Sequence, residues 1–257
     1  MKPILHIAAA VAALLAASPA SAIVGGAPPS ADGVGRSIVT IVGSRGTFCS
    51  GALIAPRLVL TAGHCVQADT EYRIVEYDAA HKPQLKTVRR AVAHPAFNIQ
   101  AILAHRASAD VALLELDVAP KDGAPAALGV PQLPLNAGNA FTIAGIGVTI
   151  RGDGKSGGVV RTAPLVATGK PGTLQIRLID PATQGTRDGL GACTGDSGGP
   201  LFEQQTAGPV IVGVISWSTG AGGSNGCGGM TGTTPLTLYR DWIVQTARQW
   251  GMPLGGN

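Results

Sequence analysis

The chain lacks any run of Lys or Arg that could follow the phosphates of a nucleic acid. Of its 257 residues, 13% are charged and 45% are hydrophobic, and the formal net charge is only +4. So small a surplus gives no case for a nucleic-acid partner. The same balance excludes an intrinsically disordered chain. The length suits one large domain or two small ones.

Long apolar segments are also missing, because nothing after the N-terminus approaches the roughly 20 residues that span a membrane. The short apolar stretch at 4–17 follows Lys2 and precedes the small residues Ala20-Ser21-Ala22, as in a secretory signal peptide. We predict a signal peptide over 1–22 and a secreted or periplasmic mature chain that begins at Ile23. The alternatives are a cut two residues earlier and a buried N-terminal helix.

Cysteines are few, and none lies in a CxxC pair or in a Cys/His cluster with zinc spacing. A structural metal is therefore not expected. An even number of cysteines in an exported chain predicts two disulfides. Three pairings of Cys49, Cys65, Cys193 and Cys227 stay open at this point.

Glycine and proline are abundant, at 37 and 18 residues, and they favour short strands joined by turns. A stretch rich in Pro, Ala and Gly at 117–138 separates two groups of predicted strands. The predicted strands are SIVTIVG, FCSGALIAP, RLVLTAG, YRIVEY, DVALLEL, AFTIAGIGV, TLQIRLI and PVIVGVISW.

One helix is predicted at the C-terminus. The segment at 238–250 places Trp242, Ile243, Ala247 and Trp250 at helical spacing, and we expect this apolar face to pack on the second group of strands. The coarse architecture is therefore all-β in two halves, closed by one helix. Periodicity leaves small barrels and sandwiches as alternatives.

The segment GACTGDSGGPLF surrounds Ser197 with glycines and an aspartate. A serine hydroxyl is a poor nucleophile at neutral pH, and it needs a base that is itself oriented by a third group. His64 follows a predicted strand and stands beside a cysteine that can anchor its turn. Asp110 begins an apolar strand, where a carboxylate is costly unless it is paired. Taken singly, each of these residues is as readily structural.

Five motifs occur in a fixed order along the chain: IVGG at 23–26, LTAGHC at 60–65, DVALLEL at 110–116, GDSGGP at 195–200 and ISW at 215–217. The set resembles the trypsin/chymotrypsin-like serine proteases over nearly the whole mature chain. The resemblance implies two antiparallel β-barrels, at about 23–120 and about 135–257, with the active site in the cleft between them and a C-terminal α-helix. It implies no metal and no cofactor.

The resemblance also implies a role for each matched residue. His64 would be the general base, Asp110 the carboxylate that orients it, and Ser197 the nucleophile, in the chain order of chymotrypsin. The backbone N–H groups of Gly195 and Ser197 would bind the developing oxyanion.

Activation would depend on the new N-terminus. Asp196 would accept an ion pair from the α-amino group of Ile23. Relatives often carry a propeptide before this terminus, whereas the predicted signal peptide ends directly before Ile23. We therefore expect export and activation to be one event. We also expect activity to fall as pH rises through the pKa of the amine, which the ion pair raises.

The disulfides that the resemblance implies are Cys49 with Cys65, beside the catalytic histidine, and Cys193 with Cys227, across the specificity pocket. Each would hold a catalytic loop in place.

The primary pocket would have Gly191 at its base, where trypsin-like members have an aspartate. Cleavage after basic residues is therefore not favoured, and we expect small or medium uncharged residues instead. The strand Ser216, Trp217 and Ser218 would pair with extended substrate backbone.

The function that follows is a secreted serine endopeptidase that forms an acyl-enzyme. Its partners would be protein or peptide substrates, and the same groove could accept a proteinaceous inhibitor. One alternative is a non-enzymatic binding protein on this fold, although such proteins usually lose a triad residue. The other is an esterase on a different fold, against which the absence of a G-x-S-x-G motif counts.

Overall fold

The computed structural model describes residues 23–30, 33–77, 80, 82–104, 106–170, 172 and 174–254. The predicted signal peptide and both of its candidate cleavage motifs lie outside the described residues. Within those residues, no helix has the length and apolar character to span a membrane.

The N-terminal half forms a closed six-stranded barrel in which every pairing is antiparallel, in the order β1-β2-β3-β6-β5-β4. Both faces of β3 and β6 are buried, because the cluster that they join also contains Val214 and Ile243 from the C-terminal half. The strands are β1 Ile38–Gly43, β2 Phe48–Ala55, β3 Leu58–Thr61, β4 Tyr72–Tyr77, β5 Pro83–Ala93 and β6 Ala112–Leu116.

The C-terminal half forms a second six-stranded ring, in the order β11-β8-β9-β10-β13-β12, which closes through the pairing of β11 with β12. A two-residue strand, β7, pairs in parallel with β12 outside the ring. The strands are β7 Ala127–Leu128, β8 Ala140–Gly145, β9 Arg161–Ala167, β10 Ile176–Ile179, β11 Pro200–Gln205, β12 Gly208–Ser218 and β13 Met230–Pro235.

The predicted fold class is confirmed: the chain is all-β, with two antiparallel barrels and a C-terminal helix. Each of the eight predicted segments contains a strand, whereas β5, β7, β9, β11 and β13 were not predicted. The segment at 117–138, predicted as a linker, contains β7. Among the described residues, the α-helices are the short α1 Ile99–Leu103 and the C-terminal α2 Arg240–Gln249.

The packing of α2 differs from the prediction. Its buried residues Ile243 and Ala247 belong to a cluster drawn mainly from the first barrel. The ring of Trp242 meets His94, just after β5, edge-on at 4.9 Å. The guanidinium of Arg90, in β5, lies 4.9 Å from the centre of the Trp250 ring. The expectation that α2 packs on the second group of strands is therefore wrong, because the chain crosses back to the first barrel after β13.

Candidate active site

A histidine and a buried aspartate meet where two paired strands of the first barrel come together. His64 lies in a 3₁₀ turn directly after β3, and Asp110 stands two residues before β6. Because β3 and β6 are antiparallel neighbours, with Thr61 opposite Ala112, this end of β3 lies beside the start of β6. The distance between His64 Nδ1 and Asp110 Oδ2 is 2.9 Å. The backbone N–H of His64 also donates to Asp110 Oδ1, at 2.8 Å.

This double contact fixes the imidazole. An ionised carboxylate can only accept, so Nδ1 carries the proton and Nε2 is left as the basic nitrogen. The side chain of His64 is 20% exposed, whereas that of Asp110 is fully buried. The imidazole of His64 is therefore held in one orientation by Asp110 and is partly accessible to solvent.

A third donor to Asp110 comes from the second barrel. The hydroxyl of Ser216 donates to Asp110 Oδ2 at 2.5 Å, from a point where the register of β12 against β13 shifts. With three hydrogen bonds, the buried carboxylate has the partners that its burial requires. From the sequence, Ser216 is expected only on the substrate-binding strand, and its contact with Asp110 is not predicted. The available signal was a small hydroxyl residue directly before Trp217.

Ser197 lies, half-buried, on the loop before β11. Its carbonyl oxygen accepts a hydrogen bond from the backbone N–H of Ser50 at 2.8 Å, and Cys65 Sγ lies 3.8 Å away. The serine loop is therefore docked on the first barrel beside the turn of His64. Among the described residues, no hydrogen bond joins the Ser197 hydroxyl to His64. Such bonds are often long in unliganded sites and tighten when substrate binds.

Close contacts with the first barrel leave no room for a side chain at two glycines beside Ser197. Gly195 has φ +95°, and a Cβ there would lie 2.6 Å from the ring of Phe48. Gly198 has φ +82°, and a Cβ there would lie 2.1 Å from Thr61 Oγ1. Side chains are excluded at both positions, because they would separate the loop from the first barrel.

The backbone N–H groups of Gly195 and Ser197 have no hydrogen-bond acceptor within the described part of the chain. Both groups belong to one tight turn whose carbonyl oxygens are all hydrogen-bonded. Backbone N–H groups that have no acceptor among the described residues suit hydrogen bonding to an anionic oxygen of a substrate.

Asp196 points away from this turn into the second barrel. It is fully buried and accepts hydrogen bonds from the backbone N–H groups of Gly147 and Cys193, each at 2.8 Å. Burial raises the pKa of this carboxyl to about 7, although the two backbone hydrogen bonds favour the charged form. Within the described residues, no cationic group pairs with it.

The segment that begins at Ile23 lies along the same loop. Val24 forms an antiparallel bridge with Gly191, and the side chain of Ile23 is fully buried in the core of the second barrel. Ile23 has φ +49°, a left-handed conformation that costs a β-branched residue about 1–2 kcal/mol. In the full sequence Ile23 is still joined to Ala22, so it carries no α-amino group.

No acidic side chain lies at Gly191. Gly191 is buried, and the N–H of its neighbour Ala192 donates to Thr231 Oγ1 at 3.0 Å. Asp188, the acid closest in sequence, is exposed and accepts a hydrogen bond from the N–H of Ala221 at 3.1 Å. The atoms nearest to a Cβ placed at Gly191 would be backbone atoms of Gly228, at 3.0–3.4 Å.

Trp217 and Ser218 end β12, next to Ser216. The indole of Trp217 lies against Gly232, where a Cβ would come within 2.1 Å of the ring. Ser218 is partly exposed, and its hydroxyl donates to the carbonyl of Gly226 at 3.4 Å.

Two disulfides tie these loops to the barrels. Cys49–Cys65 joins β2 to the turn of His64, and Cys193–Cys227 joins the serine loop to the segment before β13. These are the pairs that the family resemblance implies. His64 and the first pair are the one group of candidate metal ligands among the described residues. Both sulfurs are oxidised there, so neither offers the thiolate that a metal requires.

Comparison with known proteins identifies relatives along most of the chain. A family model described as Trypsin matches residues 23–243. Trypsin 5G1 of Aedes aegypti is 30% identical over 216 residues, which cover 78% of this chain and 75% of that protein. Serine protease 56 of Homo sapiens is 32% identical over 218 residues, covering 77% of this chain and 34% of that protein. Coagulation factor XII of Cavia porcellus is 29% identical over 220 residues, which cover 76% of this chain and 36% of that protein.

The chain thus spans three quarters of the mosquito trypsin and about a third of the two longer relatives. A solved structure titled "Atomic resolution structure of HBP" superimposes with a TM-score of 0.65 at 22% identity, over 88% of this chain and 97% of that chain, which shows the fold alone. The chain belongs to the trypsin family of serine proteases, hydrolases that cleave within peptide chains.

Proposed function

We propose that this protein is an exported serine endopeptidase whose nucleophile is Ser197. The observation that carries the proposal is the buried Asp110 carboxylate on Nδ1 of His64, with Ser197 docked beside the same turn. In the first step Nε2 of His64 takes the hydroxyl proton as Ser197 Oγ attacks the scissile carbonyl. The protonated imidazole then gives that proton to the leaving amine, and an acyl-enzyme remains.

Water completes the cycle. His64 removes a proton from the water as its oxygen attacks the acyl carbon, and it returns the proton to Ser197 when the ester bond breaks. In both steps the negative charge that develops on the carbonyl oxygen is stabilised by the N–H groups of Gly195 and Ser197. Losing one such donor typically costs about 10²–10³ in rate.

Activation would follow removal of the first 22 residues. The buried Asp196 carboxyl lacks a cation among the described residues, and Ile23 is already buried in the same barrel. Cleavage before Ile23 would create an ammonium group that could pair with Asp196. It would also abolish the strained φ of Ile23, because that torsion requires the carbonyl carbon of residue 22.

Export is supported by the two disulfides, which persist in oxidising compartments. Preference for small or medium uncharged residues is supported by the absence of an acid at Gly191 and by the hydrogen bond that engages the exposed Asp188 with the N–H of Ala221.

The test is a peptide-library digest read by mass spectrometry, with N-terminal sequencing of the same secreted protein. We expect cleavage after uncharged residues, a chain that begins at Ile23, and no cleavage by Ser197→Ala. An active protein that begins at Ser21 or earlier would contradict the single-step activation. A wild-type protein that neither cleaves peptides nor reacts with a fluorophosphonate would contradict the proposed endopeptidase activity.

A further inference from the structure

One buried serine of the first barrel contacts the nucleophile loop through both its side chain and its backbone. Ser50 lies in β2 and is fully buried. Its hydroxyl donates to the carbonyl oxygen of Gly195 at 2.8 Å and accepts from the N–H of Ile146, just after β8, at 3.0 Å. The hydroxyl therefore joins a strand of the first barrel to two segments of the second.

The backbone of Ser50 adds two further links. Its N–H donates to the carbonyl of Ser197 at 2.8 Å, and its carbonyl accepts from the hydroxyl of Thr61 at 2.8 Å. Thr61 ends β3, three residues before His64. Ser50 thus lies between the strand that leads to the proposed base and the loop that carries the proposed nucleophile.

Hydrogen bonds to backbone carbonyl oxygens hold the turn that carries the proposed nucleophile. Each carbonyl oxygen from residue 194 to residue 197 accepts one hydrogen bond, and Ser50 donates to two of them, those of Gly195 and Ser197. The remaining two are satisfied by the backbone N–H groups of Val148 and Gly199. The N–H of Asp196 donates to Cys193 O at 3.0 Å, so the Gly195–Asp196 peptide is fixed at both ends.

Gly195 needs such an anchor more than its neighbours do. It has φ +95° and no Cβ, so its own sterics do not select one conformation. Its φ and ψ relate the fixed Gly195–Asp196 peptide to the preceding peptide, which carries the N–H of Gly195. The preceding peptide is itself held at its Thr194 carbonyl by the N–H of Val148, so the Gly195 carbonyl is the second of two anchors that set the direction of that N–H, and its release would leave only one.

We propose that Ser50 is a positioning residue for the oxyanion hole, with its hydroxyl holding the Gly195 carbonyl so that the Gly195 N–H faces the reacting oxygen. The inference rests on the proposed function. Ser50 would not touch substrate; its hydroxyl would act through the Gly195 carbonyl, while the bond that it accepts from the N–H of Ile146 keeps the hydroxyl in place. Its loss should therefore weaken binding of the transition state more than binding of the neutral substrate.

The test compares Ser50→Ala with wild type on a peptide substrate, with each rate divided by the active sites titrated with a fluorophosphonate. We expect kcat to fall about 10- to 10²-fold, because a small misplacement of one donor costs part of the effect of deleting it. KM should stay within about twofold. An alkylboronic acid, whose serine adduct is tetrahedral and anionic, should bind more weakly by about the same factor as kcat/KM falls.

The matched control is Ser37→Ala. Ser37 is also buried in the N-terminal half, and its hydroxyl donates to the carbonyl of Val34 at 2.7 Å, within its own 3₁₀ turn. This variant should lose stability and yet keep wild-type kcat and boronate affinity. Ser50→Gly provides a second variant that lacks the hydroxyl.

The outcomes separate the inference from the function on which it rests. If either Ser50 variant folds and keeps wild-type kcat and boronate affinity, the positioning role is refuted while the protease stands. A fall in kcat of equal size in Ser37→Ala would also refute it, since general destabilisation would then explain the loss. Failure of wild type to react with the fluorophosphonate would overturn the protease itself.

Discussion

The charge state of Asp196 yields a prediction about stability and pH that depends on how the chain begins. Two forms are compared in the Ser197→Ala background, which prevents self-cleavage: one starts at Ile23, and the other retains Ala22. In the longer form no ammonium group is available at Ile23. Its Asp196 should therefore keep the raised pKa of about 7, against an ordinary value of about 3.9.

A carboxyl whose folded pKa is raised binds more protons in the folded state than in the unfolded state between these two values. The stability that its neutral form contributes is complete below about pH 4 and declines as pH rises. It is lost above about pH 7. The difference between about 3.9 and about 7 corresponds to about 4 kcal/mol at 1.36 kcal/mol per pH unit.

The free energy of unfolding, measured in urea from pH 4 to pH 8, should fall by about 4 kcal/mol more in the longer form than in the form that starts at Ile23. The form that starts at Ile23 should escape this loss, because its ammonium group stabilises the carboxylate. His94, whose pKa burial lowers, titrates alike in both forms and cancels from their difference. Asp196→Asn in the longer form should flatten the extra slope. Superimposable profiles for the two forms would refute the ion pair.

Three further substitutions test other parts of the site. Asp110→Asn should lower kcat on a peptide anilide by about 10⁴ because it disturbs the tautomer of His64, and a rate within tenfold of wild type would contradict the role of Asp110. Gly191→Asp should add cleavage after Lys and Arg in a peptide library; an unchanged pattern would place the pocket elsewhere. Removal of the Cys193–Cys227 bridge, which closes a loop of 34 residues, should lower the free energy of unfolding in urea by about 4 kcal/mol, and a loss below 1 kcal/mol would contradict the estimate.

The proposed site residues stand out in the sequence more clearly than several of the strands do. His64, Asp110 and Ser197 stand in short motifs whose steric demands are local, as the positive φ of Gly195 illustrates. The strand β5 was not predicted because most of its residues are exposed and it carries several charges, so it lacks the apolar run that marks a buried strand. The strand β13, MTGTTP, is almost fully buried, yet threonine and glycine provide no apolar signal.

The contacts that support the site could not be read from the sequence. Ser216 and Ser50 are small hydroxyl residues within largely apolar strands, and each meets a partner about 100 or more positions away along the chain. The side on which α2 packs depended likewise on where the chain crosses after β13. Such contacts are set by how the two barrels dock, which no local pattern encodes.

The proposed base and nucleophile are built on opposite sides of the seam between the barrels: His64 and Asp110 arrive early in translation, whereas Ser197 arrives late. Either half alone would hold an incomplete set of reacting groups. With the proposed roles, a ribosome-bound chain that has finished only its first barrel would lack the nucleophile and would be inert toward the proteins around it. The capacity to digest would emerge only after the last strands have closed.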